Sequence, residues 1–598
     1  MSSASAGADI HDRFIRDVFI DPIRTVVVVD DEYPTLDSLA AKEAGDKDAW
    51  NKGNTGEVKA VRQLLKFARN RSKPWLVDVH DGKKITSTSE QGIATHLDHS
   101  DLLVLDYHLD GNDGSGDAAI NILRKLAQSD HFNLVIVHTK GYQGDLEKVN
   151  REIALGLTHT DPALSINDEI EKSSLIDALD EWEEGHEGIT AKLEAEISEN
   201  TYLQVRSDFP GNPCGILSLE DGARLRELWL GRPEGLNIDL GKLAKWIVSK
   251  KQEQLIRQFS PDDLGSVHIG SSDGVNWIRT DKLFITVLPK ECAPDQFEIS
   301  LINAIRTSFP SPHRLLLTRM RAEIDQRGLN AETAILKNRH LQAEWLNDFL
   351  KSDPVDNRAV IQSTINRHWE ALGDELSARL ASFAEELRDY FSPMGSDEVM
   401  RKCGLNMADV GTNESLKRFN CFSSTKPVDR SHLTTGHVFR NVDSGEEGGP
   451  GFWVCLSPAC DMVPDQKRTG IGLGDSIPFV AVRLQKVADR TALKNATNNA
   501  FLFLDVDGDI CTFSIYREGN VTSNPDWEQK FARDKGRFSS SNGFTLGTLR
   551  EIEGELKVVW GDASVVAQLR SEYALNLLQR IGMSLSRPGL GMNFKARP

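Results

Sequence analysis

Three apolar, β-branched runs end on side chains suited to metal or phosphate chemistry. "VVVVDD" ends on Asp30 and Asp31, "LLVLD" on Asp106, and "LVIVHTK" on Thr139 and Lys140. Three carboxylates held close together repel one another, and a divalent cation such as Mg2+ relieves that cost while keeping them ionised. A hydroxyl and an ammonium beside them would bind the oxygens of an incoming phosphoryl group, whose in-line transfer to a carboxylate needs mainly charge neutralisation and positioning. Singly, the pieces are unremarkable: an Asp-Asp pair at a strand end is commonly a turn or helix-cap signal. Their order along the chain carries the weight.

From Thr25 to about Leu157 short apolar runs alternate with helical periodicity, the pattern of an α/β domain with a parallel sheet. The strands read "TVVVV", "WLVDV", "LLVLD" and "LVIVHT". In "EVKAVRQLLKFARN" the residues Val58, Val61, Leu64, Leu65 and Phe67 share one helical face; in "DAAINILRKLAQ" Ala118, Ile120, Ile122, Leu123 and Leu126 do the same. Sites in open parallel sheets lie outside the carboxyl ends of the strands, so the four acidic and hydroxyl positions are expected to converge on one crevice.

On these residues the segment Thr25 to Leu157 resembles the response-regulator receiver domain. The acidic pair is Asp30 and Asp31. The loop after the third strand is "DYHLDGNDG", with Leu109, Gly111 and Gly114 in register and Asp110 where a proline is usual. The resemblance implies a flavodoxin-like fold, Asp106 as phosphoacceptor, Mg2+ held by Asp30, Asp31 and Asp106, and Thr139 as the phosphoryl-sensing hydroxyl. A fifth strand ending in Lys-Pro is missing from the expected place, since the Lys-Pro dipeptides start at Lys73 and Lys426. Lys140 is therefore read as the substitute cation, and "TYLQVR" around Tyr202 as a distant candidate for a displaced fifth strand. The opening "FIDPIRTVVVVDDEYPTLDSL" and the insertion from about Ala40 to Gly56 resemble a divergent receiver group. Its members are encoded beside histidine-kinase-type ATPases in bacterial anti-phage operons.

The whole chain reads as multidomain α/β plus α+β. Residues 1–160 form the receiver-like unit, 161–215 an acidic helical linker, and 216–329 a middle α+β unit. A long helical hairpin over 330–403 follows, suited to antiparallel packing or to a homodimer interface. Residues 404–598 make a β-rich barrel or sandwich with a closing helix. Its chemistry is sparse. Cys460 and Asp461, with His437, form a speculative second site, but nothing supplies an orienting third group. Cys421, Cys455, Cys460, His432 and His437 lack regular zinc spacing. "DVDGD" at Asp505–Asp509 imitates a calcium loop, yet Tyr516 stands at the twelfth position, so a hairpin turn is expected. "GIGLGDS" lacks a phosphate-loop setting. "HRLLLTRMRAEIDQR" reads as an amphipathic helix, and Trp345 and Trp369 as core or interface anchors.

The totals exclude other classes. With 598 residues, 39% hydrophobic and 27% charged, the chain can build several cores. A net charge of −19 repels phosphate backbones, which argues against nucleic acid as a partner. No run of about 20 apolar residues offers a membrane span, and the start lacks signal-peptide order, so a cytoplasmic location is expected. Seven scattered cysteines do not describe a disulfide framework. The expected function is that of a response regulator: a histidine-kinase-type ATPase phosphorylates Asp106, and the output is protein interaction with products of the same operon. The rivals are a scaffold or phosphate sink with a degenerate receiver, and an effector enzyme near Cys460.

Overall fold

Val26, Val28, Leu102, Val104, Leu134 and Ile136 lie in one buried cluster, while Val27, Val29, Leu103, Leu105, Val135 and Val137 lie in another. Successive strand residues point to opposite faces, so a strand covered on both sides must be apolar throughout. The computed structural model of the chain describes residues 10–44, 55–82, 97, 100–109, 115–236, 238–351, 357–428, 431–441, 451–464, 474–498, 500–517, 524–539 and 542–585. Asp110, Gly111 and Gly114, and most of the insertion from Ala40 to Gly56, fall outside them.

The chain divides into two units, residues 1–326 with 378–404, and residues 327–377 with 405–598. The first is built on a seven-stranded sheet. Its strands are β1 (Thr25–Val29), β2 (Leu76–His80), β3 (Leu102–Leu105), β4 (Asn133–Thr139), β5 (His268–Ser272), β6 (Val275–Arg279) and β7 (Leu283–Pro289), in the order β2-β1-β3-β4-β7-β6-β5. The first five in that order are parallel. The β5–β6 hairpin is added antiparallel to β7. Setting the hairpin aside, the order is the doubly wound 2-1-3-4-5 arrangement, with β7 as its fifth strand.

That fifth strand arrives late. After the Leu146–Leu157 helix the chain makes five helices, Glu169–Gly185, Ile189–Ala195, Glu199–Asp208, Glu220–Leu230 and Leu240–Leu255, before β5. The segment expected to be an acidic linker buries Leu175, Leu179, Trp182, Leu193, Tyr202 and Leu203 in the same cluster as Val27 and Val135. "TYLQVR" is not a strand but part of the Glu199–Asp208 helix, capped by Ser198 accepting from Thr201 N. The strand content of the expected middle unit likewise joins the N-terminal sheet. The opposite face is covered by the Thr55–Arg69 and Phe297–Thr307 helices, by Phe14 to Ile23, and by Phe383, Leu387 and Phe391.

In the second unit the Arg339–Lys351 helix meets residues 357–377 of the Asn357–Phe391 helix, where Trp345 Nε1 donates to Thr364 Oγ1 at 3.0 Å. Trp345 also stacks on Phe349, whereas Trp369 is 62% exposed and anchors no core. The strands that follow are β8 (Thr425–Lys426), β9 (His437–Asn441), β10 (Gly451–Cys455), β11 (Ile477–Lys486), β12 (Phe501–Val506), β13 (Asp509–Ser514), β14 (Trp527–Ala532), β15 (Gly543–Ile552) and β16 (Glu555–Leu569). β9, β16, β15, β14, β11 and β10 pair in a closed ring, the six-stranded barrel that resolves the barrel-or-sandwich expectation. Phe439, Trp453, Phe479, Phe544 and Val565 fill one cluster of this unit. "DVDGD" is a two-residue hairpin turn: Val506 pairs with Asp509, and Asp507 and Gly508 have φ of 56° and 94°. The closing helix, Ser571–Leu585, buries Ala574, Leu577 and Ile581.

Candidate functional site

The ladder hydrogen bonds continue one residue past the strands. Asp30 N donates to His80 O, Asp106 N to Val29 O, and Lys290 N to Thr139 O, at 2.8 to 3.0 Å. These bonds fix the backbone of the residues that leave β1, β3 and β7, so the side chains enter one crevice above the sheet. Asp30 and Asp106 are buried at 3% and 6% exposure, Thr139 is fully buried, and Asp31 is half-buried. Carboxylate oxygens of Asp30, Asp31 and Asp106 lie within 4.8 Å of one another, the one such grouping of potential metal ligands among the described residues.

Lys290 was not among the residues expected here. Its Nζ lies 2.5 Å from Asp30 Oδ2 and 2.8 Å from Asp106 Oδ2, bridging the two buried acids. It sits where a fifth-strand lysine belongs, but in "LPK" the proline precedes it, so a search for Lys-Pro passes over it. A findable signal existed: an apolar run, "LFITVLPK", ending in lysine and leading into an amphipathic helix. Lys140, the expected substitute, is half-exposed, with Nζ 3.3 Å from Glu32 Oε1. The correction rests on the ion pairs themselves: the Lys290 ammonium meets Asp30 and Asp106, whereas the Lys140 ammonium meets Glu32.

Burial raises the Asp30 pKa to about 6, partly countered by Lys290 and reinforced by the charge of Asp106. Burial opposes the charged form of Lys290, yet Asp30 and Asp106 outweigh it and hold the ammonium above its ordinary range. An extra cation is therefore compatible with the site: a buried carboxylate lifted towards neutrality gains from nearby positive charge. Asp30 also accepts from Glu32 N at 2.9 Å, which turns the chain sharply after β1. Tyr33 lies under the Lys290 ammonium, 5.6 Å from ring centre to Nζ, with burial and Asp30 pushing its phenol to about 12. Burial and Lys290 hold His138 neutral, at about 4. His108 N donates to Asp106 Oδ1, and Gly141 N to Thr139 Oγ1.

Directly after Asp106, buried Tyr107 donates to Glu152 Oε2 at 2.6 Å, and Tyr142 donates to the same oxygen at 2.9 Å. Glu152 thus ties the Leu146–Leu157 helix to the segments following β3 and β4. Gly116 permits this: a Cβ there would fall 1.9 Å from the Tyr107 ring. The pattern-based reading missed this trio because tyrosine and glutamate at those spacings carry no motif.

The second candidate site does not assemble in a comparable way. Cys460 and Asp461 are exposed in the Ala459–Met462 turn, where the thiol donates to Oδ1 of its neighbour Asp461 at 3.8 Å. His437 is fully buried at the start of β9, where Nδ1 accepts from Thr434 N at 3.1 Å and the ring packs beside Phe538. Burial pushes the Cys455 thiol up to about 12. No Cys or His of this unit joins a metal-ligand grouping among the described residues.

Residues 22–184 match the response receiver domain family. The match covers β1 to β4 and the start of the helical insertion, and it ends before Lys290. No curated protein and no solved structure gives a significant match. No described helix is long and apolar enough to cross a membrane.

Proposed function

Residues 22–184 being a receiver domain, we propose that the chain is a response-regulator-like signalling protein that accepts a phosphoryl group on Asp106. The observation that carries this is Lys290, whose ammonium joins Asp30 and Asp106 at the carboxyl edge of the sheet. Asp30, Asp31 and Asp106 would hold Mg2+, which supplies charge neutralisation when bound. The remaining work belongs to the chain. Asp106 is the attacking carboxylate, Lys290 and the Thr139 hydroxyl receive phosphoryl oxygens, and the buried walls limit hydrolysis. The donor is a histidine-kinase-type ATPase, and the output is protein contact, within a bacterial anti-phage system whose other components share the operon. A homodimer through the long helices fits the exposed Ile365 and Trp369. The scaffold alternative rested on a lacking lysine, and Lys290 removes that ground. An effector enzyme near Cys460 gains no support from an exposed thiol and a buried imidazole on different elements.

The test is incubation of the purified chain with acetyl phosphate and Mg2+, read by intact mass. A gain of one phosphoryl group is expected, lost in Asp106→Asn and strongly reduced in Lys290→Met. No gain in the wild type, or a gain that survives Asp106→Asn, overturns the proposal.

A further inference from the structure

Three aromatic rings pack together where the chain leaves β3 and β4. The His108 ring meets Tyr107 and Tyr142 edge-on, with ring centres 5.0 and 5.2 Å apart and planes at 80° and 82°. The two tyrosines meet each other in the same way at 6.2 Å. Edge-to-face contacts of this kind are directional, so fixing two of the rings fixes the third. A single oxygen does the fixing: Glu152 Oε2 accepts from both phenols, at 2.6 and 2.9 Å.

The cluster borders both groups on which phosphoryl acceptance depends. On one side His108 N donates to Asp106 Oδ1 at 3.3 Å, while Lys290 holds Oδ2 at 2.8 Å, so each oxygen of the acceptor carboxylate has its own donor. On the other side Gly141 N donates to Thr139 Oγ1 at 3.2 Å, and the next residue is Tyr142. Tyr142 is tied to the same helix as Glu152, since its carbonyl accepts from Asp145 N and its ring lies 3.9 Å from the Lys148 ammonium. The His108 and Gly141 amides lie beyond the strands, outside the ladders that fix Asp106 N and Lys290 N. Side-chain packing must place them instead.

We propose that Glu152 is a positioning residue for phosphoryl acceptance. Through Tyr107 and Tyr142 it sets the His108 amide against the Asp106 carboxylate and the turn that holds the Thr139 hydroxyl. In the transfer an Asp106 oxygen forms the new bond to phosphorus as the donor's oxygen–phosphorus bond breaks and the donor leaves with the electron pair. A misplacement of about 1 Å in such a step can cost roughly a hundredfold in rate. The inference rests on acceptance at Asp106, and Glu152 acts in it only through the tyrosines.

The experiment is a time course of phosphorylation of the full chain at saturating acetyl phosphate and Mg2+, read by intact mass, beside calorimetric titration with Mg2+ alone. Glu152→Leu removes the acceptor of both phenols and should slow the reaction about tenfold or more, with Mg2+ affinity changed less than about twofold. Glu152→Gln loses the same charge but keeps an oxygen that accepts from both phenols, and should stay within about threefold of the wild type. Tyr142→Phe keeps the ring of a half-buried residue and so retains the fold; it should slow the reaction several-fold, and should slow Glu152→Leu no further. The proposal is overturned by a Glu152→Leu rate within about twofold of the wild type, by equal slowing in Glu152→Leu and Glu152→Gln, or by slowing that merely follows Mg2+ affinity. No acceptance by the wild type would overturn the underlying reading along with it.

Discussion

Replacing Lys290 by methionine tests the crevice without touching the carboxylates. The substitution keeps the length of the stem and removes the charge, leaving Asp30 and Asp106 buried and facing each other with no ammonium between them. Removing one partner of a buried ion pair costs roughly 3 to 5 kcal/mol. The lysine side chain is 13% exposed, which admits some water, so the lower end applies, about 3 kcal/mol. With about 1.4 kcal/mol per factor of ten, opening of the central strands should become roughly a hundredfold more frequent. Hydrogen exchange of the amides of β1, β3 and β7, at constant pH without divalent metal, reads this directly, and added Mg2+ should narrow the gap. Lys140→Met is the control: its pair with Glu32 is 50% and 33% exposed, and such surface pairs are worth about 1 kcal/mol or less. Unchanged protection in Lys290→Met, or an equal loss in Lys140→Met, would refute the reasoning.

Two other perturbations address the packing that holds the crevice. Gly116→Ala drives a Cβ into the ring of Tyr107, which is 1% exposed, and should cost about 1 to 3 kcal/mol in thermal unfolding of the first unit; adding Tyr107→Leu should return part of it. His11, 4% exposed against Phe309, Tyr390 and Phe391, is held neutral by burial at about 4 rather than 6.5. A depressed folded pKa contributes stability that is full above 6.5 and lost as pH falls towards 4. The difference amounts to about 3 kcal/mol. Exchange protection around Arg16–Ile20 should fall over that window in the wild type, and the fall should be smaller by this amount in His11→Leu.

The crevice was legible where its residues follow short strands in sequence order. Asp30, Asp106 and Thr139 each end an apolar run, and periodicity alone places them at one edge. Lys290 was not, because 150 residues and five insertion helices separate Thr139 from it, and strand pairing across such a gap leaves no local trace. "TYLQVR" misled through β-branched and aromatic content, overridden by the Ser198 cap and by burial of Tyr202 and Leu203 on a helical face. The turn at Asp507–Gly508 was legible because its chemistry is local. Closure of the barrel was not, since β9 meets both β10 and β16 only in three dimensions.

The position of β7 also bears on how the protein is made. Synthesis runs from the N-terminus, and non-local strand pairing waits for its partner. When β1 to β4 have left the ribosome, β4 still presents an open edge and the acids of the crevice have no lysine. That edge is filled only after the whole insertion has emerged. A nascent or prematurely terminated chain ending before Lys290 therefore carries the three aspartates without the group that balances them. Such a product would be poorly protected from proteases and unable to compete with the finished protein for whatever engages the completed crevice.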